Sequence, residues 1–121
     1  MTTPMRNPEF VYKITSRAVF DAARAADEFP RMPIDLDDGY VHFSTAAQLA
    51  ETLRLYFAGQ GDLAVFAIST CTLGAALRWE PSRGGQLFPH AYGDVPVAAV
   101  GQTASVSVAT DGSVTLPDFV R

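Results

Sequence analysis

Residues Leu63-Ala64-Val65-Phe66-Ala67-Ile68 form six consecutive apolar positions with no polar interruption. A run of this length, rich in branched and aromatic side chains, reads as a β-strand that must be covered on both faces. A chain that contains it cannot be an open ribbon or a single amphipathic layer. It needs a sheet with material packed above and below, so the strand is expected at the centre of the domain rather than at a dimer surface. Hydrophobic residues at 48% and charged ones at 18% of 121 residues supply enough apolar surface for one such core.

The rest of the chain arranges itself around that strand. Glu9 to Ile14 reads as a first strand, and Thr15-Ser16 caps a helix whose face is Val19, Ala22, Ala23 and Ala26, ending near Asp27. Phe29-Pro30-Arg31-Met32-Pro33 breaks it, because a proline lacks the amide donor a helix requires. Asp35-Leu36-Asp37-Asp38-Gly39 reads as a solvated acidic turn, and Tyr40-Val41-His42-Phe43 as a second strand. Thr45 and Gln48 have the spacing of a capping box, and Leu49, Leu53, Tyr56 and Phe57 then follow a helical period up to Gly59. Later segments read as strands at Ala75 to Glu80 and Val97 to Val100, with an irregular stretch from Pro89 to Pro96. Asp111-Gly112 reads as a hairpin turn joining the Val106–Val108 run to Val114-Thr115-Leu116. Helices early and strands late give an α+β domain over residues 9–121, two helices on a mixed, mostly antiparallel sheet, preceded by a loose arm at residues 1–8.

Several function classes are excluded by composition. The lone Cys71, expected to be a buried thiol, permits no disulfide framework and no multi-cysteine zinc site, and no metal is expected. A net charge of −4 and a pI near 4.9 disfavour non-specific nucleic-acid binding. No apolar run approaches the ~20 residues of a membrane span, and the first residues carry no apolar signal segment, so a cytoplasmic location is expected.

Three segments concentrate the chemistry. In Val41-His42-Phe43-Ser44-Thr45, His42 and Ser44 share one side of a strand that runs into a helix amino terminus, where backbone donors suit an anion. The alternative is a half-buried histidine beside an ordinary cap. In Arg78-Trp79-Glu80, alternation places Arg78 and Glu80 on one face, an anion-binding guanidinium beside a candidate general base, with Arg83 in the glycine-containing loop that follows. The alternative there is a surface ion pair. In Phe88-Pro89-His90-Ala91-Tyr92, His90 and Tyr92 can hydrogen-bond a polar ligand while Phe88 forms a wall, or the aromatics can plug the core.

Tyr12-Lys13-Ile14, Gly39 to Thr45, Arg78-Trp79-Glu80 and Phe88 to Gly93 together resemble the bacterial family called domain of unknown function 952, over about residues 10–101. The resemblance implies a fold similar to ADP-ribosyltransferases, including the RNA 2′-phosphotransferase branch, which bind NAD or ADP-ribose-like groups. His42-Phe43-Ser44 matches the His-x-Ser/Thr strand pattern of such enzymes, which would make His42 a ribose-holding, catalytic-site residue. Two departures stand out: no glutamate follows Glu80, and Phe43 occupies a position where those enzymes carry glycine. Glu80 is then the candidate catalytic carboxylate with His42, and Ser44, Thr45, Arg78, Arg83, His90 and Tyr92 are candidate ligand-binding residues. The implied function is binding of NAD, ADP-ribose or a related nucleotide, with glycosyl or ADP-ribosyl transfer. The alternatives are a non-catalytic small-molecule-binding module and a protein-interaction module. The oligomeric state is not assigned.

Overall fold

In a computed structural model, which describes residues 8–121, the apolar strand is β3 (Leu63–Ser69), the middle of a three-stranded antiparallel sheet. Its neighbours are β1 (Phe10–Ser16), in the register Lys13 opposite Phe66, and β6 (Thr103–Val106), in the register Leu63 opposite Val106. A second antiparallel sheet has the order β2 (Tyr40–His42), β5 (Leu87–Tyr92), β4 (Leu77–Pro81). The α+β class expected from the sequence holds, but the single mixed sheet does not: there are two sheets, and every strand pair is antiparallel.

Strand alternation sorts the core into two layers. Ala64, Phe66 and Ile68 of β3 join Val41 and Ala91 of the second sheet, with Phe20 from α1 (Arg17–Ala25), between the two sheets. Val65 and Ala67 face the other way, onto Leu49 and Leu53 of α3 (Ala46–Phe57) and onto Val114, Leu116 and Phe119 near the carboxyl end. The end of β2 is tied to β1 by reciprocal backbone bonds between Tyr12 and Ser44, 2.8 and 2.9 Å long. The second sheet thus has one face on the core and one face free of it.

Both expected helix starts are present, with the Ser16 hydroxyl accepting from Val19 N and the Thr45–Gln48 capping box closed in both directions. Other expectations are corrected. Asp35 to Asp38 is not a solvated turn but part of a helix, α2 (Pro33–Asp38), with proline at its first position and Gly39 left-handed (φ 81°) at its end. Of the stretch expected to be irregular, Pro89 to Tyr92 instead lies in β5, and only residues 93–96 are irregular. The Pro89 carbonyl accepts from Phe43 N at 3.0 Å, and the proline has no amide to return, so the β2–β5 ladder ends at the His42–His90 pair.

Residues Val97–Ala99 form a 3-10 turn, not a strand, and the sheet is re-entered through Ala67 N to Gln102 O at 2.9 Å. Strand β4 begins at Leu77, because Gly74–Ala76 form another 3-10 turn after the short α4 (Thr70–Leu73). The Asp111-Gly112 turn exists, closed by Gly112 N to Ala109 O, but residues 113–116 pack on the core without pairing as a strand. Cys71 is exposed rather than buried, because it lies on the outer side of α4 and not in β3. The expected arm at residues 1–8 lies outside the described residues apart from Pro8. No helix among the described residues is long and apolar enough to cross a membrane.

Candidate functional site

The free face of the second sheet collects almost every residue singled out from the sequence. His42, His90 and Arg78 are directly opposite one another across its three strands, and Tyr40 is opposite Tyr92 one step along. Trp79, Val41 and Ala91 alternate to the other face and pack into the core. Period-two alternation therefore makes one side of the sheet apolar and the other aromatic and ionisable. The Tyr40 ring centroid lies 4.4 Å from His90, 4.7 Å from His42 and 5.0 Å from Tyr92, and the two imidazoles are 5.3 Å apart.

Each imidazole is held by a carboxylate. His42 Nδ1 is 2.7 Å from Asp35 Oδ1, and its Nε2 is 2.9 Å from Asp38 Oδ2. A neutral ring carries one N–H, so only the protonated ring can donate to both carboxylates at once. His90 Nδ1 is 2.8 Å from Glu80 Oε1, and the Tyr92 hydroxyl donates to the same oxygen at 2.7 Å. These two bonds, Tyr92's first, draw the Glu80 carboxyl below its ordinary range, and the Tyr92 phenol is correspondingly raised by donating to Glu80.

Asp35 anchors the arrangement from inside the protein, fully buried. Its carboxylate accepts from the Lys13 ammonium (2.7 Å), Met32 N (2.7 Å), His42 N (2.9 Å) and the His42 ring. Burial pushes the Asp35 carboxyl up, but the His42 bond and the Lys13 charge outweigh it and hold it at about 2, against an ordinary 3.8. Burial also lowers Lys13, and Asp35 only partly offsets that. Neither residue was among the sequence candidates. The available signal was Lys13 itself, an ammonium in the middle of an apolar strand, which requires a buried counter-charge.

A carboxylate depressed in the folded state contributes stability that is present above its unfolded value and is lost as the pH falls towards its folded one. Asp35 is therefore expected to withdraw about 2 kcal/mol between pH 5 and pH 2. Urea unfolding midpoints across that interval check this, and a wild-type stability that stays level while an Asp35-substituted chain behaves identically would overturn it.

Between this face and the edge of β1 lies a cleft of about 370 Å³. Tyr40, His42, His90 and Phe88 form one side, Ile34 and Asp38 of α2 a second, and Thr52 and Tyr56 of α3 a third, with Arg83 beside Ser82. The Ser44 hydroxyl lies 3.3 Å from Thr52 Oγ1, to which Arg83 also donates at 3.0 Å. The Arg83 guanidinium sits 4.9 Å over the Phe88 ring, and among the described residues no carboxylate is within ion-pair reach of it. The structure thus brings His42, Ser44, Arg83 and His90 to the cleft wall. Thr45 is committed to its cap, Arg78 lies 4.8 Å over the Tyr92 ring, and Glu80 and Tyr92 stand behind His90 rather than in the lining. Among the described residues no group of three or more His, Cys, Asp or Glu side chains is placed to hold a metal.

A family model described as "Protein of unknown function (DUF952)" matches residues 14–103. The crystal structure of protein CC0527 from Caulobacter crescentus, a structural-genomics target, is 40% identical, with a TM-score of 0.83 over 92% of this chain and 97% of that one. The solution NMR structure of CC0527 gives 41% identity and a TM-score of 0.76 over 88% and 91% of the two chains. No curated protein matches.

Proposed function

Because the chain belongs to the DUF952 family of proteins of unknown function, we propose on the geometry of its cleft that it binds a nucleotide ligand of the NAD or ADP-ribose class. The observation that carries this is Arg83, a half-buried cation with no carboxylate within ion-pair distance among the described residues, set over an aromatic ring in an aromatic-walled cleft. Guanidinium groups bind phosphate through paired charge-assisted bonds, and flat aromatic walls accept a base or nicotinamide ring. The Ser44 and Thr52 hydroxyls and the His42–Asp38 pair offer donors and acceptors to ribose hydroxyls. A volume of about 370 Å³ lies at the small end of ligand pockets, suiting one half of a dinucleotide with the other half across the open mouth. A cleft between the second sheet and the edge of β1, with the His-x-Ser segment His42 to Ser44 in its wall, supports an ADP-ribosyltransferase-like reading of the fold.

Isothermal titration or ligand-observed NMR with NAD, ADP-ribose and nicotinamide tests this. Wild type is expected to bind, and Arg83→Ala to weaken ADP-ribose binding about 10- to 100-fold while leaving nicotinamide less affected. No binding of any of the three at millimolar ligand would overturn the reading. The position of Glu80 favours binding without glycosyl or ADP-ribosyl transfer over binding with it, since its Oε1 is engaged by His90 and Tyr92 outside the lining. Product formation from NAD decides between them.

A further inference from the structure

The two histidines of the cleft differ in what their rings leave open. Both ring nitrogens of His42 are engaged by carboxylates, Asp35 behind it and Asp38 at the rim. His90, only 4% exposed, is engaged at Nδ1 by Glu80 and has no hydrogen-bond partner at Nε2 among the described residues. The described side-chain atoms that are both unpartnered and sealed from solvent are Thr15 Oγ1 and Trp79 Nε1. His90 Nε2 is therefore not sealed, and the opening it meets is the cleft that the residue lines.

A second donor stands beside it. Phe88 and His90 are alternate residues of β5 and share a face, about 7 Å apart along the strand. The Arg83 guanidinium sits 4.9 Å over the Phe88 ring. Arg83 gives one N–H to Thr52 Oγ1 and its other N–H groups to no described residue. Glu51, the acidic group on the α3 side, is already engaged by Arg54. Two donors with capacity to spare, one on each side of Phe88, fit a tetrahedral oxyanion, which accepts at about 2.8 Å from several directions.

The protonation state of His90 decides whether it serves such a ligand. A neutral ring has one N–H, and the Glu80 oxygen 2.8 Å away holds it at Nδ1. Nε2 then presents a lone pair, which repels an anion, and only the imidazolium donates at both nitrogens. The charged groups facing His90 from its own sheet are Glu80 and Arg78 on β4 and His42 on β2, with the Tyr40 and Tyr92 phenols. Arg83 faces it from the turn after β4, Asp38 from α2 through His42, and the Lys13–Asp35 pair lies behind His42. We propose that Arg83 and protonated His90 form an oxyanion subsite, so that binding of a phosphate group in this cleft takes up a proton at His90 Nε2. The inference deepens the nucleotide reading, on which the identity of the oxyanion as a phosphate rests. Affinity for the anion falls as the pH rises through the imidazole range, and by linkage the bound anion favours the protonated ring by the same factor. Glu80 is a positioning residue that fixes the Nδ1 proton, and Tyr92 fixes Glu80.

ADP-ribose and inorganic sulfate are the probes, because neither changes its own charge across the range in which an imidazole titrates. Calorimetric titration in buffers of different ionisation enthalpy counts the protons taken up, and imidazole nitrogen shifts report the state of His42 and His90 separately. Wild type is expected to take up close to one proton per bound probe at about pH 7.5 and to bind several-fold more weakly per pH unit above neutrality. Its His90 ring is expected to pass from the Nδ1–H form to the doubly protonated form as either probe is added. His90→Gln is expected to bind with no proton uptake and no pH dependence, His42→Gln to keep the uptake, and Arg83→Ala to lose sulfate binding. ADP-ribose binding without proton uptake, uptake that survives His90→Gln, or a His90 ring that stays neutral in the saturated wild type overturns the proposal and leaves the nucleotide reading standing. Sulfate binding with protonation of His90 but no ADP-ribose binding overturns the nucleotide reading and leaves the subsite. Absence of binding by both probes overturns both.

Discussion

Asp35→Asn is expected to cost about 3–5 kcal/mol of folding stability, the loss typical of breaking a buried ion pair from one side. The carboxylate is fully buried and each of its oxygens serves two donors: Oδ1 takes the His42 amide and ring, and Oδ2 takes the Lys13 ammonium and the Met32 amide. An asparagine amide offers one acceptor oxygen, and its NH2 group then points at donors. The Lys13 ammonium, only 3% exposed, is left without its counter-charge. Urea unfolding measures the loss, and a change below about 1 kcal/mol would show that the pair is not a structural anchor. Lys13→Met combined with Asp35→Asn is expected to recover part of it, because removing both charges is less damaging than stranding one. The coupling matters for the site as well, since the other oxygen of the same carboxylate holds the His42 ring at the cleft wall.

Phe66→Ala is expected to destabilise the fold by about 3–5 kcal/mol for a different reason. Phe66 is fully buried at the middle of β3, with the rings of Phe20 and Phe29 at 5.4 and 5.8 Å. Truncation removes both aromatic contacts and leaves a cavity between the two sheets that neighbouring strands, fixed by their ladders, cannot close. Phe66→Leu is expected to cost less because it keeps most of the volume. Leu36→Ala, at a residue 67% exposed, is expected to stay within about 0.5 kcal/mol. Denaturant unfolding of the three chains ranks them, and a Phe66→Ala loss no larger than that of Leu36→Ala would contradict the layered core. Against a typical total of about 5–15 kcal/mol, either of the two large losses brings a domain of this size near its folding threshold.

These two residues divide along the line between what is local and what is not. Phe66 announces itself in the sequence, since six apolar residues in succession have few arrangements that hide them from water. The capped helices were equally legible, because each side-chain cap and its target amide are three residues apart. So was the sharing of one strand face by Arg78 and Glu80, which alternation alone dictates. Where local signals conflicted, sequence reasoning gave way. The prolines at 89 and 96 masked β5, whose pairing on both sides outweighs one missing donor. The three aspartates at 35, 37 and 38 suggested water, and burial of Asp35 could be inferred only by pairing it with a lysine on β1, far away in the chain.

The sequence by itself determined the α+β class, the central strand, the caps and the set of side chains available for chemistry. The tertiary structure alone decided that there are two sheets and that His42, His90 and Arg78 form one cross-strand row. It also decided that Asp35 and Glu80 each meet a histidine ring nitrogen and stand outside the cleft lining. The physical reason is range: propensity, alternation and capping act over a few residues, whereas strand pairing and a buried charge's partner depend on segments far apart in the chain. His42 and His90 are 48 positions apart in sequence and 5.3 Å apart at the ring centres, and only the pairing of β2 with β5 makes them neighbours.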